Sequence, residues 1–397
     1  MEQSAAEKPK GAPLAGWGAG LFMALLPASA SGGGLALAPF LGLTAALAIR
    51  PAALKRALGQ VFVWTLLAFL GWAILSTAWT SYSDHGQAIR LAFTALPGLI
   101  FVAGTSADER TRRFARAAGV AAVIVLLAML ALEALADMPL NRANQPDADT
   151  ERLVRNPGRG VTVLVTLIWG ALGALMLRGG VWRYALCGAL LIGAGLLSTQ
   201  FDMSANLLGL VFGFAMFSLA LATPRVTIGL VIGGLTLWLL AAPFIAPLLS
   251  RDPALVALLP DSWAVRVEIW KFAAHEIMEN PLLGYGLDAS RAYTDTIVVR
   301  GQTVSALPLH PHSASLQIWL ETGVVGALLA AAALITGAIA LIRALGTQRI
   351  AAAAACGALG SIGLIANVSY GAWQEWWVAT ALAAAALVAA VRHEDTP

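Results

Sequence analysis

Apolar runs about as long as a membrane-crossing helix dominate this chain, parted by short polar or glycine- and proline-bearing turns. Twelve are read, at roughly 15–30, 34–49, 61–79, 88–106, 114–136, 160–177, 183–199, 204–222, 226–247, 313–342, 350–368 and 374–391. A helix crossing the hydrocarbon layer needs about 20 mostly apolar residues. The runs lack the alternation of barrel strands and are too long for them. The first two are short and flank Ser31–Gly34, which reads as a tight hairpin. The start carries Lys8 and Lys10 without a convincing cleavage site, so the first span is expected to stay. Ala351–Ala355 and Ala383–Ala386 predict closely packed helices. No repeat of some 20–50 residues is seen. The expected fold is all-α and polytopic, with about twelve transmembrane helices in a single membrane domain over residues 1–397.

Composition narrows the picture. Of 397 residues, 59% are hydrophobic and 12% charged. Soluble domains carry about 25% charged residues, so a soluble globular protein is excluded. Disorder is excluded by the same balance. A net charge of +3, scattered along the chain, does not suggest nucleic-acid binding. Cys187 and Cys356 sit in apolar runs, which indicates neither a disulfide framework nor a cysteine metal site.

Basic residues set the expected orientation. With both termini cytoplasmic, the inner side collects Lys8, Lys10, Arg50, Lys55, Arg56, Arg110, Arg112, Arg113, Arg116, Arg178, Arg183, Arg225, Arg343, Arg349 and Arg392, which is 15 of 25. Nine of the others fall in two long outer segments, and Arg90 lies at the outer end of its span. The outer loop 137–159 is densely charged. The large periplasmic loop 248–312, inserted before the transmembrane helix 313–342, is long enough for short helices of its own. Loops of that length are usually functional. Within it Trp263, Val267, Trp270, Ala274 and Ile277 recur at helical spacing. Asp261 or Ser262 is expected to cap that helix and Asn280–Pro281 to end it. Its two Trp suggest a helix lying at the membrane interface.

Charges within spans are costly and usually functional. Arg90, Glu133, Arg159, Asp202, Glu321 and Glu375 all fall at or near outer span ends. For any one of them, snorkelling to water is the competing reading. A transporter needs polar groups near the midplane instead.

The densest segment is Leu309-His310-Pro311-His312-Ser313-Ala314-Ser315-Leu316-Gln317-Ile318-Trp319-Leu320-Glu321-Thr322-Gly323. Pro311 breaks the loop, and a long apolar helix follows, which Ser313 or Ser315 can cap. The helix dipole favours an anion there and disfavours imidazolium. A neutral His beside an anion site suits a general base acting on a hydroxyl. Ser313, Gln317 and Glu321 form one polar stripe at spacing of four. A loop His at an interface, or a His-x-His metal site, is the alternative. No close third His or Cys completes a ligand set, so no metal is assigned. Arg159, in Arg155-Asn156-Pro157-Gly158-Arg159-Gly160, and Arg266 on the loop helix offer guanidinium forks that match phosphate oxygens. Attraction to anionic membrane lipids competes with that reading. Asp147-Ala148-Asp149 has the spacing of a metal-dependent glycosyltransferase site but reads better as a solvated turn.

These residues resemble a known family. His312-Ser313, nine residues, Gly323, two residues, Gly326 is similar to the signature of O-antigen ligases. His310-Pro311-His312 and Leu316-Gln317-Ile318-Trp319-Leu320-Glu321 also resemble that family and its O-antigen polymerase relatives. Arg266-Val267-Glu268-Ile269-Trp270 with Asn280-Pro281-Leu282-Leu283-Gly284-Tyr285-Gly286 looks like the stretch upstream, and Arg159-Gly160-Val161-Thr162 like an earlier arginine motif. The likeness covers about residues 150–340 in motifs. Ser313 stands where the family often has Asn, and Asp202–Asn206 lacks a Ser-Arg pair that relatives often carry.

The resemblance implies an inverting, metal-independent glycosyltransferase without a cofactor, acting at the periplasmic face of the bacterial inner membrane. Its donor would be an undecaprenyl-diphosphate-linked glycan and its acceptor a sugar hydroxyl of lipid A–core. Carried over by position, His312 would activate that hydroxyl with His310 supporting it. Arg159 and Arg266 would bind the diphosphate, with Arg155, Ser313, Gln317 and Glu321 in support. A polymerase joining lipid-linked repeat units is the alternative within the class, and a lipid-linked glycan transporter a remote one outside it.

Overall fold

The computed structural model describes residues 14–392. All twelve apolar runs are helices. In chain order they are α1 (Leu14–Ser31), α2 (Leu37–Leu47), α4 (Val61–Leu75), α5 (Gly86–Thr105), α6 (Glu109–Leu135), α8 (Thr150–Met176), α9 (Trp182–Gln200), α10 (Ser204–Ala222), α11 (Pro224–Ile245), α14 (Ala314–Leu345), α15 (Arg349–Val368) and α16 (Glu375–Val391). Between them lie the short helices α3 (Pro51–Leu58), α7 (Pro139–Asn144) and α12 (Pro253–Leu258), and the loop helix α13 (Asp261–Glu279). Ten helices of the described residues are long and apolar enough to cross a membrane. The count is eleven if α2 and α3, bent by 113°, are one span; α16 is shorter. The α1–α2 hairpin turns on Gly33 and Gly34, both at positive φ, where a side chain would be strained.

The helices run alternately up and down, so their ends form two unlike faces. At one face Asn141 Nδ2 donates to Ser31 O (3.2 Å), Thr162 meets Asn206, Ser315 meets Asn367, and Arg90 pairs with Glu375 at 2.6 Å. At the other, Arg116 donates to Ala390 O and Arg56 to Ala107 O. That second face carries Lys55, Arg112, Arg116 and Arg183.

Helix α8 sits in the middle, with 89% of its apolar window buried. It is apolar on every side from Val163 onward, as a helix enclosed by others must be. Its Trp169 donates to Ser361 Oγ (2.8 Å), which donates to Gly209 O (2.7 Å), tying α8, α15 and α10 together. The alanines at 351–355 are all buried, as expected of small residues that let helices approach closely.

Two boundaries differ from the sequence reading. Helix α8 begins at Thr150, so Arg155 and Arg159 lie on successive helical turns rather than in a loop before the span. The first turns are charged, which hides a helix from a hydropathy reading. The large loop holds α12, α13 and also a hairpin, β1 (Thr296–Val299) with β2 (Gln302–Ser305). Its two-residue turn is Arg300-Gly301, both at positive φ, matching the twist of a tight hairpin. Arg300 pins it by pairing with Asp261 and donating to the carbonyls of Val256 (2.9 Å) and Leu259 (2.8 Å). Asp261 therefore does not cap α13; the residue ahead of the helix is Pro260, with no side-chain cap. The helix does end at Asn280. Its apolar stripe faces protein rather than lipid: Val267, Trp270, Ala273 and Ile277 pack with Leu316, Trp319 and Leu320 of α14.

Helix α14 is broken at Gly323, whose φ of 63° and ψ of −168° are closed to other residues at ordinary cost. The segment Pro281–Gly286 fills the break. Tyr285 N donates to Leu320 O and Gly286 N to Glu321 O, each at 2.8 Å, while Val324 N donates to Pro281 O at 2.8 Å. Trp72 Nε1 takes Thr322 O at 2.9 Å. The backbone groups freed by the kink are thus satisfied, as buried ones must be.

Candidate active site

The first half of α14 is both anchor and platform. Glu321 is fully buried and accepts from Asp288 N (2.7 Å), Ser290 Oγ (2.5 Å), Ser290 N (3.4 Å), Trp373 Nε1 (2.6 Å) and Gln317 Nε2 (3.0 Å). One turn earlier, Gln317 Oε1 accepts from Ala372 N (2.8 Å). The polar stripe therefore fastens two segments, 288–290 of the large loop and 372–373 of the α15–α16 turn, to one helix. Ser313 caps that helix by accepting from Leu316 N. Ser315 Oγ donates to Asn367 Oδ1 (2.6 Å), fixing the end of α15 alongside.

On this platform the His310-Pro311-His312 segment is tightly bent, with Leu309 and His312 at positive φ. The bend is held by the His312 amide, which donates to His310 Nδ1 (3.1 Å). That contact makes Nδ1 the acceptor and assigns the proton of neutral His310 to Nε2; the Gln374 side-chain amide lies 3.2 Å from Nε2 and accepts that proton when its oxygen is turned to the ring. Burial pushes the His310 imidazole down to about 3, so it stays neutral.

His312 has the opposite tautomer. Its Nδ1 lies 2.7 Å from Ser369 O, and a carbonyl can only accept, so Nδ1 carries the proton. Nε2 then holds a lone pair and has no hydrogen-bond partner among the described residues. Burial lowers the pKa of His312, the Ser369 carbonyl opposes that, and the charge of Arg266 lowers it further. The rings of the two histidines meet edge to face, 4.6 Å apart. With both Nδ1 atoms occupied, the pair is not arranged as a chelate. No three His, Cys, Asp or Glu side chains of the described residues gather where they could hold a metal, and Asp147 and Asp149 are exposed on the turn before α8.

The two arginines converge on the same turn. Arg159 lies over the face of Trp376, 5.6 Å from its centroid, and makes no hydrogen bond or ion pair with another described residue. Arg266 lies over Trp263 at 5.2 Å and donates once, to Ser262 O (3.3 Å); its Nε is buried without a partner. Burial works against the Arg266 charge. The charges of both arginines bear on Tyr370, and that of Arg266 also on His312. The charge of the exposed Arg155, one turn before Arg159, bears on Arg159. Among the described residues, two half-buried guanidinium groups thus stand without a carboxylate partner, next to a neutral imidazole with an open nitrogen. Buried charges are ordinarily paired, so this arrangement suits an anionic ligand.

Sequence reading named His310, His312, Arg159, Arg266, Arg155, Ser313, Gln317 and Glu321, and the structure gathers all of them at one end of the bundle, with Arg155 exposed one turn before Arg159. It missed Asn367, Ser369, Tyr370 and Gln374 in the turn between α15 and α16, and Asn206 at the start of α10. The polar run Asn367–Gln374 between two apolar helices was the available signal.

Residues 159–331 match the family described as O-antigen ligase. A protein named "Putative polysaccharide ligase" from Rickettsia conorii is 31% identical over 231 residues, covering 56% of this chain and 55% of that protein. Its counterpart in Rickettsia felis is 32% identical over 232 residues, with the same shares. A third, from Rickettsia prowazekii, is 32% identical over 189 residues, 45% of each chain. The chain spans about half the length of the curated relatives it matches.

Proposed function

We infer, for a chain whose residues 159–331 belong to the O-antigen ligase family, an inverting glycosyltransferase that moves a glycan from undecaprenyl diphosphate to a sugar hydroxyl of lipid A–core. The observation that carries this is the pair of arginines, without a carboxylate partner among the described residues, beside an imidazole fixed with its lone pair on Nε2. Basic residues gathered at the far face support termini in the cytoplasm and a site at the periplasmic face of the bacterial inner membrane.

In the proposed reaction His312 Nε2 takes the proton of the acceptor hydroxyl. The freed oxygen attacks the anomeric carbon opposite the diphosphate, the carbon–oxygen bond to phosphate breaks, and the configuration inverts. The bonding electrons leave on the diphosphate, where Arg159 and Arg266 stabilise the growing charge. The Ser369 carbonyl steadies the imidazolium through Nδ1–H. Burial and the Arg266 charge both disfavour that cation, so the proton is readily passed on to water. His310 acts indirectly, by fixing the backbone of His312. Glu321 and Gln317 hold the platform rather than touching substrate, and Ser313 caps it. No metal or cofactor has a part.

Against a conduit, the converging polar groups lie at one end, and α8 behind them is buried and apolar. Purified protein in liposomes with both lipid substrates tests the reading. Glycan joined to lipid A–core supports it. Longer lipid-linked chains alone favour polymerisation, and movement of lipid-linked sugar without a new bond favours transport.

A further inference from the structure

We propose that Tyr370 is a third ligand of the donor's diphosphate, its phenol hydroxyl completing a clamp with the Arg159 and Arg266 forks; this rests on the reading that those two arginines hold that group. Tyr370 is where the parts of the site are joined. The residue before it supplies the carbonyl that fixes the His312 ring. Its hydroxyl lies 2.9 Å from Thr162 Oγ1, and Thr162 is one helical turn beyond Arg159 on α8. Its ring meets the edge of Trp376 at 4.8 Å and an interplanar angle of 89°, and the face of Trp376 carries Arg159. Arg159 and Arg266 both bear on the phenol, and neither pairs with a carboxylate among the described residues.

The hydrogen-bond inventory leaves the phenol free to donate elsewhere. Thr162 Oγ1 accepts from Asn206 Nδ2 (2.9 Å), and its own proton can go to Gly158 O (3.2 Å), to Asn206 Oδ1 (3.1 Å) or to the phenol oxygen. Either oxygen of the Thr162–Tyr370 pair can be the donor. When the phenol proton turns toward a phosphate oxygen, the single Thr162 proton can turn to Tyr370, so one neutral hydrogen bond, to Gly158 O or Asn206 Oδ1, is exchanged for one to the anion. The contact to an anion is charge-assisted, the stronger kind. The phenol keeps its proton, since the diphosphate leaves as an anion.

The test is binding of geranyl diphosphate, a short prenyl probe without sugar, to the solubilised full chain by calorimetry. Wild type binds, and Arg159→Ala and Arg266→Ala weaken binding severely. Tyr370→Phe keeps both ring contacts and the backbone, and is expected to weaken binding roughly 10–100-fold, as loss of one hydrogen bond to a charged group does. Thr162→Val, which removes the hydroxyl partner, weakens it less. The acidic limb of the transfer rate stays where it was in Tyr370→Phe, because the Ser369 contact to His312 is retained. Wild-type affinity in Tyr370→Phe, with the arginine variants impaired, overturns the assignment of Tyr370 and leaves the arginine site standing. Absence of binding by wild type, or full binding by Arg159→Ala, overturns both.

Discussion

Replacing Arg266 by Lys separates a fork from a point charge. Among the described residues this guanidinium makes one hydrogen bond, to Ser262 O at 3.3 Å, and its Nε is buried without a partner. An unsatisfied buried donor costs about 1–3 kcal/mol, a cost that a phosphate oxygen relieves on binding. A fork gives the diphosphate two charge-assisted bonds, each contributing about 1.5–3 kcal/mol. Lysine keeps the charge but offers a compact ammonium on a flexible stem, so at least one of those bonds is lost. At 1.4 kcal/mol per tenfold, the expected loss in donor affinity is roughly 10–150-fold. Arg266→Ala loses the second bond and the long-range attraction as well, and falls at or below the Lys variant. The assay is titration of lipid-linked donor into reconstituted protein, with thermal unfolding as a control for folding. Wild-type affinity in Arg266→Lys would refute the bidentate role.

Three further outcomes follow from the same geometry. Gly323→Ala places a methyl 2.2 Å from Leu282 O at a backbone conformation reserved for glycine, a strain of about 1–3 kcal/mol before the overlap is relieved; the solubilised variant is expected to unfold at lower temperature and to lose transfer, and an unshifted melting curve would contradict the plugged helix break. Glu321→Gln replaces an acceptor facing five donors with a group that is partly a donor, leaving at least one buried donor unsatisfied at a cost of about 1–3 kcal/mol; limited proteolysis should then cut within 281–313 faster than in wild type, and an unchanged digestion pattern would remove the anchor role. The rate of transfer should fall on acidification only below the ordinary histidine range, because the base works unprotonated and burial depresses its pKa; in Arg266→Ala, where a neighbouring positive charge is gone, protonation is easier and the acidic limb of the residual activity should move to higher pH, so an unmoved limb would argue that Arg266 does not face His312.

The helices were legible because a hydrocarbon solvent imposes one strong rule, about 20 apolar residues per crossing, and each run obeys it or nearly so. His312 and its cap were legible because a proline followed by serine before an apolar run is a local signal, satisfied within four residues. What could not be read is pairing across distance. Glu321 looks like any span-end carboxylate until Asp288, Ser290 and Trp373 are seen around it. Ser369 contributes a backbone carbonyl, which no side-chain pattern announces. The two Trp of α13 suggest a helix at the membrane interface because amphipathicity does not say which apolar medium covers the stripe, and here it is α14. The hairpin at 296–305 did leave a trace, two β-branched stretches flanking Arg300-Gly301, but strands of four residues are easily lost in a long loop.

The most direct measurement is glycan transfer by His312→Ala in liposomes containing lipid-linked donor and lipid A–core, read together with donor binding. The account predicts donor bound as in wild type, no glycan–lipid A bond formed and no undecaprenyl diphosphate released. Transfer at the wild-type rate by that variant would contradict it.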